Sequence, residues 1–288
     1  MPRNFKLGII SDEIAQDFDI ALELVAEYDL DAVELRSVFG KPLHELNKEQ
    51  LLEIKEKAKN ANVNICGLSA PIFKCELALA EANEHLELLK RYINIAKLLD
   101  TDLIRGFSFW ARKPFDEAKK EIIEQYKKAN EILEGTGIKL AVEYDPSVYA
   151  STAKKVSLLL DRKNLPNLYA LYDPGNNLWA LEEELPFPDA YELLKDDLCH
   201  IHLKDAIKKD GEVEAVAIGL GEVDFRGLFK RLIKDNYTGY LAVETHYRLK
   251  EKLSEDQLMR PGGNDFSEGG YAASKDCLNH LMDLIKSL

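Results

Sequence analysis

The sequence predicts a single-domain (β/α)8 TIM barrel over residues 1–288, on three observations. Short β-rich runs alternate with longer amphipathic runs along the whole chain. Eight of each can be counted, within about the length typical of such a barrel. No GxGxxG or Walker sequence follows an early run, although an open doubly wound sheet would usually carry one.

The elements follow in order. "FKLGIIS" (5–11) reads as the first strand, with a helix over 18–28 in which Ile20, Leu22, Leu24 and Val25 are candidate buried positions. "DAVELR" (31–36) is the second strand, and "NKEQLLEIKEKAKNA" (47–61) a helix opened by Asn47 as N-cap. "VNICGLSA" (63–70) precedes a helix over 78–99, and "DLIRGFSF" (102–109) one over 115–135. The "GTG" after that helix is a stop signal, and "IKLAVEYD" (138–145) is the fifth strand. Then come a helix over 151–161, "LYALYD" (168–173), a short helix over 189–196 and "CHIHLKD" (199–205). A helix over 224–236, "GYLAVET" (239–245) and a helix over about 270–287 complete the alternation. Residues 182–189 and 205–223 read as long βα loops, and no low-complexity tract or Pro/Gly-rich hinge splits the chain.

Composition narrows the function classes. With 46% hydrophobic residues the chain can bury a large core. A net charge of −13 repels phosphate backbones and anionic lipid, so neither nucleic acid nor a membrane is an expected partner. The four cysteines, Cys66, Cys75, Cys199 and Cys277, form no CxxC pair and suit buried thiols in a reduced compartment. The start, "MPRNFKLGII", has too short an apolar run for a signal peptide, and a cytoplasmic protein is expected, with a homo-oligomer left open.

The stretch "HIHLKD" (200–205) puts two of only six histidines two residues apart. In an extended chain His200 and His202 then share one face, while Ile201 and Leu203 pack on the other. In a barrel of this type, function collects where strands end. Strand five ends at Glu143, six at Asp173, seven at His202 and eight at Glu244, at intervals close to one strand–helix unit each. Singly, each such residue reads as a solvated loop carboxylate, a turn cap or a hydrogen-bonded core histidine. Jointly they converge on the mouth, where unpaired carboxylates would repel by several kcal/mol and a divalent cation removes that penalty. Three carboxylates and one imidazole favour Mn2+ or Mg2+, with Co2+ or Zn2+ also compatible.

With these motifs the chain resembles the xylose isomerase-like barrels, which include sugar phosphate isomerases/epimerases and ketose 3-epimerases. The resemblance rests on "VEYDP" (142–146), "YDPGN" (172–176), "HIHLKD" (200–205), "GLGEVDF" (219–225) and "YLAVETHY" (240–247), and covers nearly the whole chain. It implies that Glu143, Asp173, His202 and Glu244 bind one divalent metal ion and that His200 sits deeper on the same face. It also implies an isomerase or epimerase of a sugar or sugar phosphate that works through an enediolate, with Glu143 and Glu244 as acid and base. The ketose 3-epimerases of this group commonly carry His three residues after the Asp ligand and Arg six after the His ligand. Here those positions hold Asn176 and Lys208, which leaves the sugar open.

Further candidates to contact substrate are Lys204, Glu34, Ser69, Arg105, Trp110 and His200, with Arg36 beside Glu34 at the end of strand two. Phe39, Trp179 and Tyr247 are further aromatic residues of βα loops. "GLGEVDF" reads as a loop closed by Asp224 at the start of a helix, and "PGGNDFSEGG" (261–270) as a mobile loop near the mouth. Three other functions compete with isomerisation. They are a dehydratase or lyase acting on a keto-cyclitol or keto-acid, an abasic-site endonuclease, and a non-catalytic sugar-binding barrel. The endonuclease would need a cluster of about three metals and more histidines than this chain supplies.

Overall fold

The computed structural model describes residues 4–250 and 252–288, so the first three residues of the N-terminal stretch lie outside it. Its strands, in chain order, are β1 (Lys6–Ile10), β2 (Ala32–Leu35), β3 (Ser37–Val38), β4 (Lys41–Pro42), β5 (Asn64–Ile72), β6 (Leu103–Gly106), β7 (Lys139–Glu143), β8 (Leu168–Tyr172), β9 (Leu198–Leu203), β10 (Asp205–Lys209), β11 (Glu212–Val216) and β12 (Tyr240–Val243). Eight of them, β1, β2, β5, β6, β7, β8, β9 and β12, close into a parallel barrel in which each pairs with its neighbours in sequence. The expected (β/α)8 architecture is therefore present. The other four form two small antiparallel hairpins at the mouth, β3 with β4 and β10 with β11.

The main helices are α1 (Phe18–Glu27), α2 (Lys48–Asn60), α3 (Leu79–Leu98), α4 (Phe115–Leu133) and α5 (Ala153–Leu159). Two single turns follow, α6 (Asn176–Trp179) and α7 (Tyr191–Leu194), then α8 (Phe225–Lys234). The chain ends in α9 (Glu255–Met259), α10 (Gly263–Ser267) and α11 (Gly270–Lys286). In α8 the buried residues Phe225, Leu228, Phe229 and Leu232 recur at i, i+3, i+4 and i+7. Each such side chain contributes about 1.5–3 kcal/mol on full burial. The Asp224 side chain accepts from the Gly227 N–H at 2.8 Å, the expected cap. Asn47 and Gln50 form a reciprocal capping box that starts α2.

Three expectations need correction. Ile20 faces solvent, and Phe18 and Ala21 join Leu22, Leu24 and Val25 in the core, because the buried stripe of α1 runs through positions 18, 21, 22 and 25 and Ile20 lies off it. The 205–223 loop is not irregular throughout: β10 and β11 fill it up to Val216. The Asp205 carboxylate then gathers the N–H groups of Ala206, Gly219, Gly221 and Val223, which explains the aspartate that ends "HIHLKD". Finally, 261–270 is not a free loop but carries α10. Gln16 Nε2 donates to Gly263 O at 3.1 Å, Gly263 N donates to Ser37 Oγ at 3.1 Å, and Arg248 holds the Glu268 and Phe266 carbonyls.

The inward-facing rows position the site. Leu103, Ala141 and Leu171 form a small buried cluster apart from the main core. Each lies two residues before a functional candidate on its own strand, Arg105, Glu143 and Asp173 respectively, so side-chain alternation places the polar layer directly above an apolar one. Register shifts fall between Val33 and Glu34 against β5, and between Ala170 and Leu171 against β9. The extra residues are Cys66 and Cys199, each donating its thiol to a carbonyl of the adjacent strand. Such irregularities re-aim the side chains that follow.

Candidate active site

Glu143 is the last residue of β7, Asp173 follows β8, His202 lies in β9 and Glu244 follows β12. One potential ligand atom from each lies within 4.8 Å of the others, and all four residues are buried. The four strand ends singled out from spacing are therefore brought together. His202 turns Nδ1 toward the group, 3.3 Å from Glu143 Oε1 and 3.9 Å from Glu244 Oε2.

The other imidazole edge belongs to Glu34. Its Oε2 lies 3.1 Å from His202 Nε2 and 2.8 Å from His200 Nε2, so one carboxylate binds both histidines of the HxH pair. Ser69 Oγ donates to Glu34 Oε1 at 2.5 Å. Glu34 and His200 were expected to contact substrate, yet neither reaches the open cavity, and they orient His202 from below. A carboxylate on the far ring nitrogen fixes which nitrogen faces the centre. Burial opposes the charge on Glu34, but the two imidazoles hold its carboxyl well below the usual range. In turn, burial draws His202 down while Glu34 and Glu143 push it up to about 10.

The donor set fits a cation better than it fits the side chains alone. Burial raises Asp173 to about 7, helped by Glu244 and Glu143 and opposed by Lys204. Lys204 Nζ sits 2.6 Å from Asp173 Oδ2, within ion-pair distance. Among the described residues no other donor reaches this buried Oδ2. Hard oxygen donors with one imidazole suit a divalent ion in these positions.

The two glutamates have unequal surroundings. Glu244 receives Arg36 Nη1 at 3.1 Å and His246 Nδ1 at 3.4 Å on Oε1, and Lys204 Nζ at 2.8 Å on Oε2. Burial works against its charge, but Lys204, His246, His202 and Arg36 hold the carboxyl well below the ordinary range. Glu143 has Arg105 Nη1 at 3.3 Å, His202 at 3.3 Å and a long contact from Asn176 Nδ2 at 3.4 Å. Burial opposes its charge too, and Arg105 leads the effects that lower it.

A cavity of about 390 Å³ opens over this cluster. Among the expected residues it is lined by Glu143, Asn176, Lys204, Arg105, Glu244 and Trp179. Asn176 spends its amide mainly on the Tyr144 carbonyl at 2.8 Å. Lys208 does not take part: it lies exposed on the β10–β11 hairpin, where the strand has already left the barrel. Ser69 and Trp110 line a neighbouring cavity instead. Phe39 packs at the edge of the core, and Tyr247 is tied to α11 through Asp276 Oδ2 at 2.8 Å.

Sequence reasoning missed His246, Lys74 and Asp145, which also line the cavity. His246 was accessible to the same argument as His202, because it stands two residues after Glu244 in "ETHY". Glu13 was hidden in a 3-10 turn after β1. It is fully buried and holds His246 Nδ1 at 3.2 Å and Arg36 Nη2 at 2.8 Å. Lys74 Nζ pairs with Asp145 Oδ2 at 3.0 Å on the opposite wall.

A closed (β/α)8 barrel with three carboxylates and an imidazole at its C-terminal mouth defines a class, the barrels with a candidate divalent-metal centre fed by several strands. The chain belongs to the xylose isomerase-like TIM barrel family, whose profile matches residues 22–269. Curated relatives are named inosose dehydratase. One from Clostridium perfringens is 29% identical over 147 residues, covering 45% of this chain and 48% of the relative. One from Bacillus licheniformis is 26% identical over 224 residues, covering 69% and 71%. The match thus spans about half the length of the first of these relatives. Among solved structures, the IolI protein with a bound zinc atom superposes with a TM-score of 0.76 at 18% identity, covering 98% of this chain and 99% of that one. A D-tagatose 3-epimerase-like protein gives 0.70 at 19% identity, covering 98% and 99%. A probable 3-DHS dehydratase from Bacillus anthracis gives 0.70 at 15%, covering 96% and 99%. At these identities the structural matches establish the fold.

Proposed function

We propose that the protein is a divalent-metal-dependent dehydratase of a polyhydroxylated ketone, with a keto-cyclitol of the inosose type as the leading substrate class. The observation that carries this reading is the inequality of Glu143 and Glu244. Epimerisation needs two comparable bases on opposite faces of one carbon, whereas β-elimination needs one base and one acid. Glu244, held by Arg36, Lys204 and His246, is a poor proton acceptor. Glu143 is the better base, because its contacts are longer. The names of the curated relatives point the same way.

A divalent ion held by Glu143, Asp173, His202 and Glu244 would supply Lewis-acid polarisation of the substrate carbonyl. Glu143 takes the proton from the carbon next to that carbonyl, and the electron pair left behind expels the β-hydroxyl. His246 gives that hydroxyl its proton, so it departs as water and leaves an unsaturated ketone. Glu13 orients His246 through Nδ1, and His246 Nε2 has no protein partner among the described residues. Lys204 and Arg105 supply fixed positive charge at the base of the cavity.

The isomerase or epimerase reading expected from the sequence moves to second place. It shares the proton abstraction but lacks a second base matched to Glu143. The test is incubation of metal-loaded protein with a keto-cyclitol in D2O. The dehydratase reading expects a product lighter than the substrate by one water. A product of unchanged formula carrying solvent deuterium at the inverted carbon would select the epimerase.

A further inference from the structure

A second cavity, of about 510 Å³, adjoins the first and shares Lys74, Arg105, Met259 and Pro261 in its walls. None of the four candidate metal ligands lines it. Its far side is built by His44, the α3 residues His85, Leu88 and Tyr92, and Trp110. Each cavity alone falls within the range of about 300–1,000 Å³ usual for small-molecule sites, so together they exceed what one six-membered ring requires.

On its far side the polar groups facing this second space are two imidazoles and the Tyr92 hydroxyl, while Arg36, Lys74, Arg105 and Arg260 line the rest. His85 Nδ1 accepts the Phe73 N–H at 2.9 Å, which assigns the ring proton to Nε2, and the Pro71 backbone also contacts the ring. His44 Nδ1 pairs with the Tyr92 hydroxyl at 3.2 Å, and its Nε2 has no protein partner among the described residues. Burial pulls both imidazoles below the ordinary histidine range, which keeps them neutral. The cations of the shared wall are already matched, Lys74 by Asp145 at 3.0 Å and Arg105 by Glu143 at 3.3 Å. The imidazoles, the Tyr92 hydroxyl and Trp110 suit hydroxyl groups and a ring edge, with Arg260 as a further donor.

Strained backbone also occurs at the mouth, close to this cavity. Asp29, Asn62, Asp100 and Asn236 have positive φ just after α1, α2, α3 and α8, where such residues commonly end a helix. At the mouth the positive-φ residues are bulky: Phe39 at 58°, Phe73 at 61°, Phe109 at 66° and His246 at 53°. A left-handed conformation in residues of this size costs of order 1–3 kcal/mol each, and it persists where surrounding contacts enforce it. Phe73 and Phe109 stack with centroids 4.7 Å apart, and the Phe73 amide anchors His85. The wall of the second cavity is thus held in one shape.

We propose that this cavity is a subsite for a second hydroxylated ring, so that the substrate is a keto-cyclitol or keto-sugar bearing a glycosyl substituent. The reacting ring lies at Glu143 and the substituent passes Lys74 and Arg105 to reach His44, His85 and Trp110. The inference rests on the dehydratase reading for the identity of the first ring, but not for the existence of the subsite.

The experiment is calorimetric titration of the metal-loaded protein with two unreactive probes, myo-inositol and a monoglucosyl myo-inositol. The two-ring probe is expected to bind at least about tenfold more tightly, equivalent to about 1.4 kcal/mol. Leu88→Trp, which projects an indole into the second cavity, is expected to reduce that ratio to within about twofold. His44→Phe, which keeps a ring against Tyr92 and deletes Nε2, should reduce it in part. A myo-inositol signal too weak to fit sets a lower bound on the ratio. Equal affinities in the parent protein, no binding of the two-ring probe, or an advantage that survives in both variants overturns the subsite. Dehydration of an unsubstituted keto-cyclitol without any two-ring preference would leave the proposed reaction standing and remove only the subsite. The converse result would retain the subsite and remove the reaction.

Discussion

Arg36 Nη1 donates to Glu244 Oε1 at 3.1 Å, across a separation of 208 residues in sequence. The same guanidinium reaches Asp12 and Glu13, so Glu244 is one corner of a buried lattice of charge rather than a free carboxylate. Glu143, its counterpart across the mouth, has no such lattice behind it. That difference is the ground on which the proposed reaction assigns the two glutamates separate roles.

Glu143→Gln and Glu244→Gln should therefore fail differently. Glu143→Gln removes the proposed base, and turnover of a keto-cyclitol is expected to fall by the roughly 10²–10⁴-fold typical of general acid–base groups. Exchange of the substrate α-proton with D2O should stop with it. Glu244→Gln keeps the base but leaves Arg36 and Lys204 short of a partner, so metal content and stability should fall while exchange by the remaining loaded protein continues. Unimpaired exchange in Glu143→Gln would falsify the assignment.

Metal content is the second measurable. Elemental analysis of the protein should find about one divalent ion per chain, and His202→Ala or Asp173→Ala should abolish it while the far-ultraviolet circular dichroism is preserved. Chelation should lower the melting temperature of the parent and leave both variants unmoved. At a free metal concentration 100-fold above Kd, linkage predicts about 2.7 kcal/mol of added stability. Full occupancy in either variant would remove that residue from the centre.

Glu34 offers a test of positioning without contact to substrate. Glu34→Gln replaces the carboxylate that binds both His200 and His202 with a weaker acceptor. Metal affinity is expected to fall by about 10–100-fold, the usual effect of losing such a partner. The Michaelis constant for substrate at saturating metal should stay close to the parent value. A change in substrate affinity with metal affinity intact would place Glu34 in the substrate cavity after all.

Acid stability follows from Glu13. Burial opposes its ionisation, but Arg36 leads the contacts that hold the carboxyl down at about 2, against an ordinary 4.5. Because the folded value is depressed, the stabilisation is complete above pH 4.5 and is lost as the pH falls through about 2. Urea melts from pH 6 to pH 2 should show this fall. Glu13→Gln should cost about 3–5 kcal/mol at neutral pH, the usual effect of breaking a buried pair, and should flatten the acid slope. An unchanged slope would assign the acid transition to other carboxylates.

Much of the fold was legible because the signals are local and periodic. The alternation of β-rich and amphipathic runs, Asn47 and Asp224 as caps and the eight strands all follow from side-chain patterns within a few residues. The hairpins of the mouth and the ordering of 261–270 were not legible, because they depend on distant partners such as Ser37, Gln16 and Arg248. Ile20 was misplaced by a phase error that only the packing of α1 resolves.

For the site, the sequence by itself determined which four residues converge, since strand ends one βα unit apart must meet at one mouth of a closed barrel. It could not determine what each does. Glu34 and His200 hold His202 from beneath because the extra residue Cys199 re-aims both histidines and the extra residue Cys66 re-aims Ser69, which binds Glu34. Lys208 is carried out of the site by a hairpin, and His246 is brought into it by a left-handed backbone turn. Only the tertiary structure decided the inequality of Glu143 and Glu244. The strength of a buried carboxylate as a base is set by the charges packed around it, and Arg36, Lys204 and His246 come from three different strand ends.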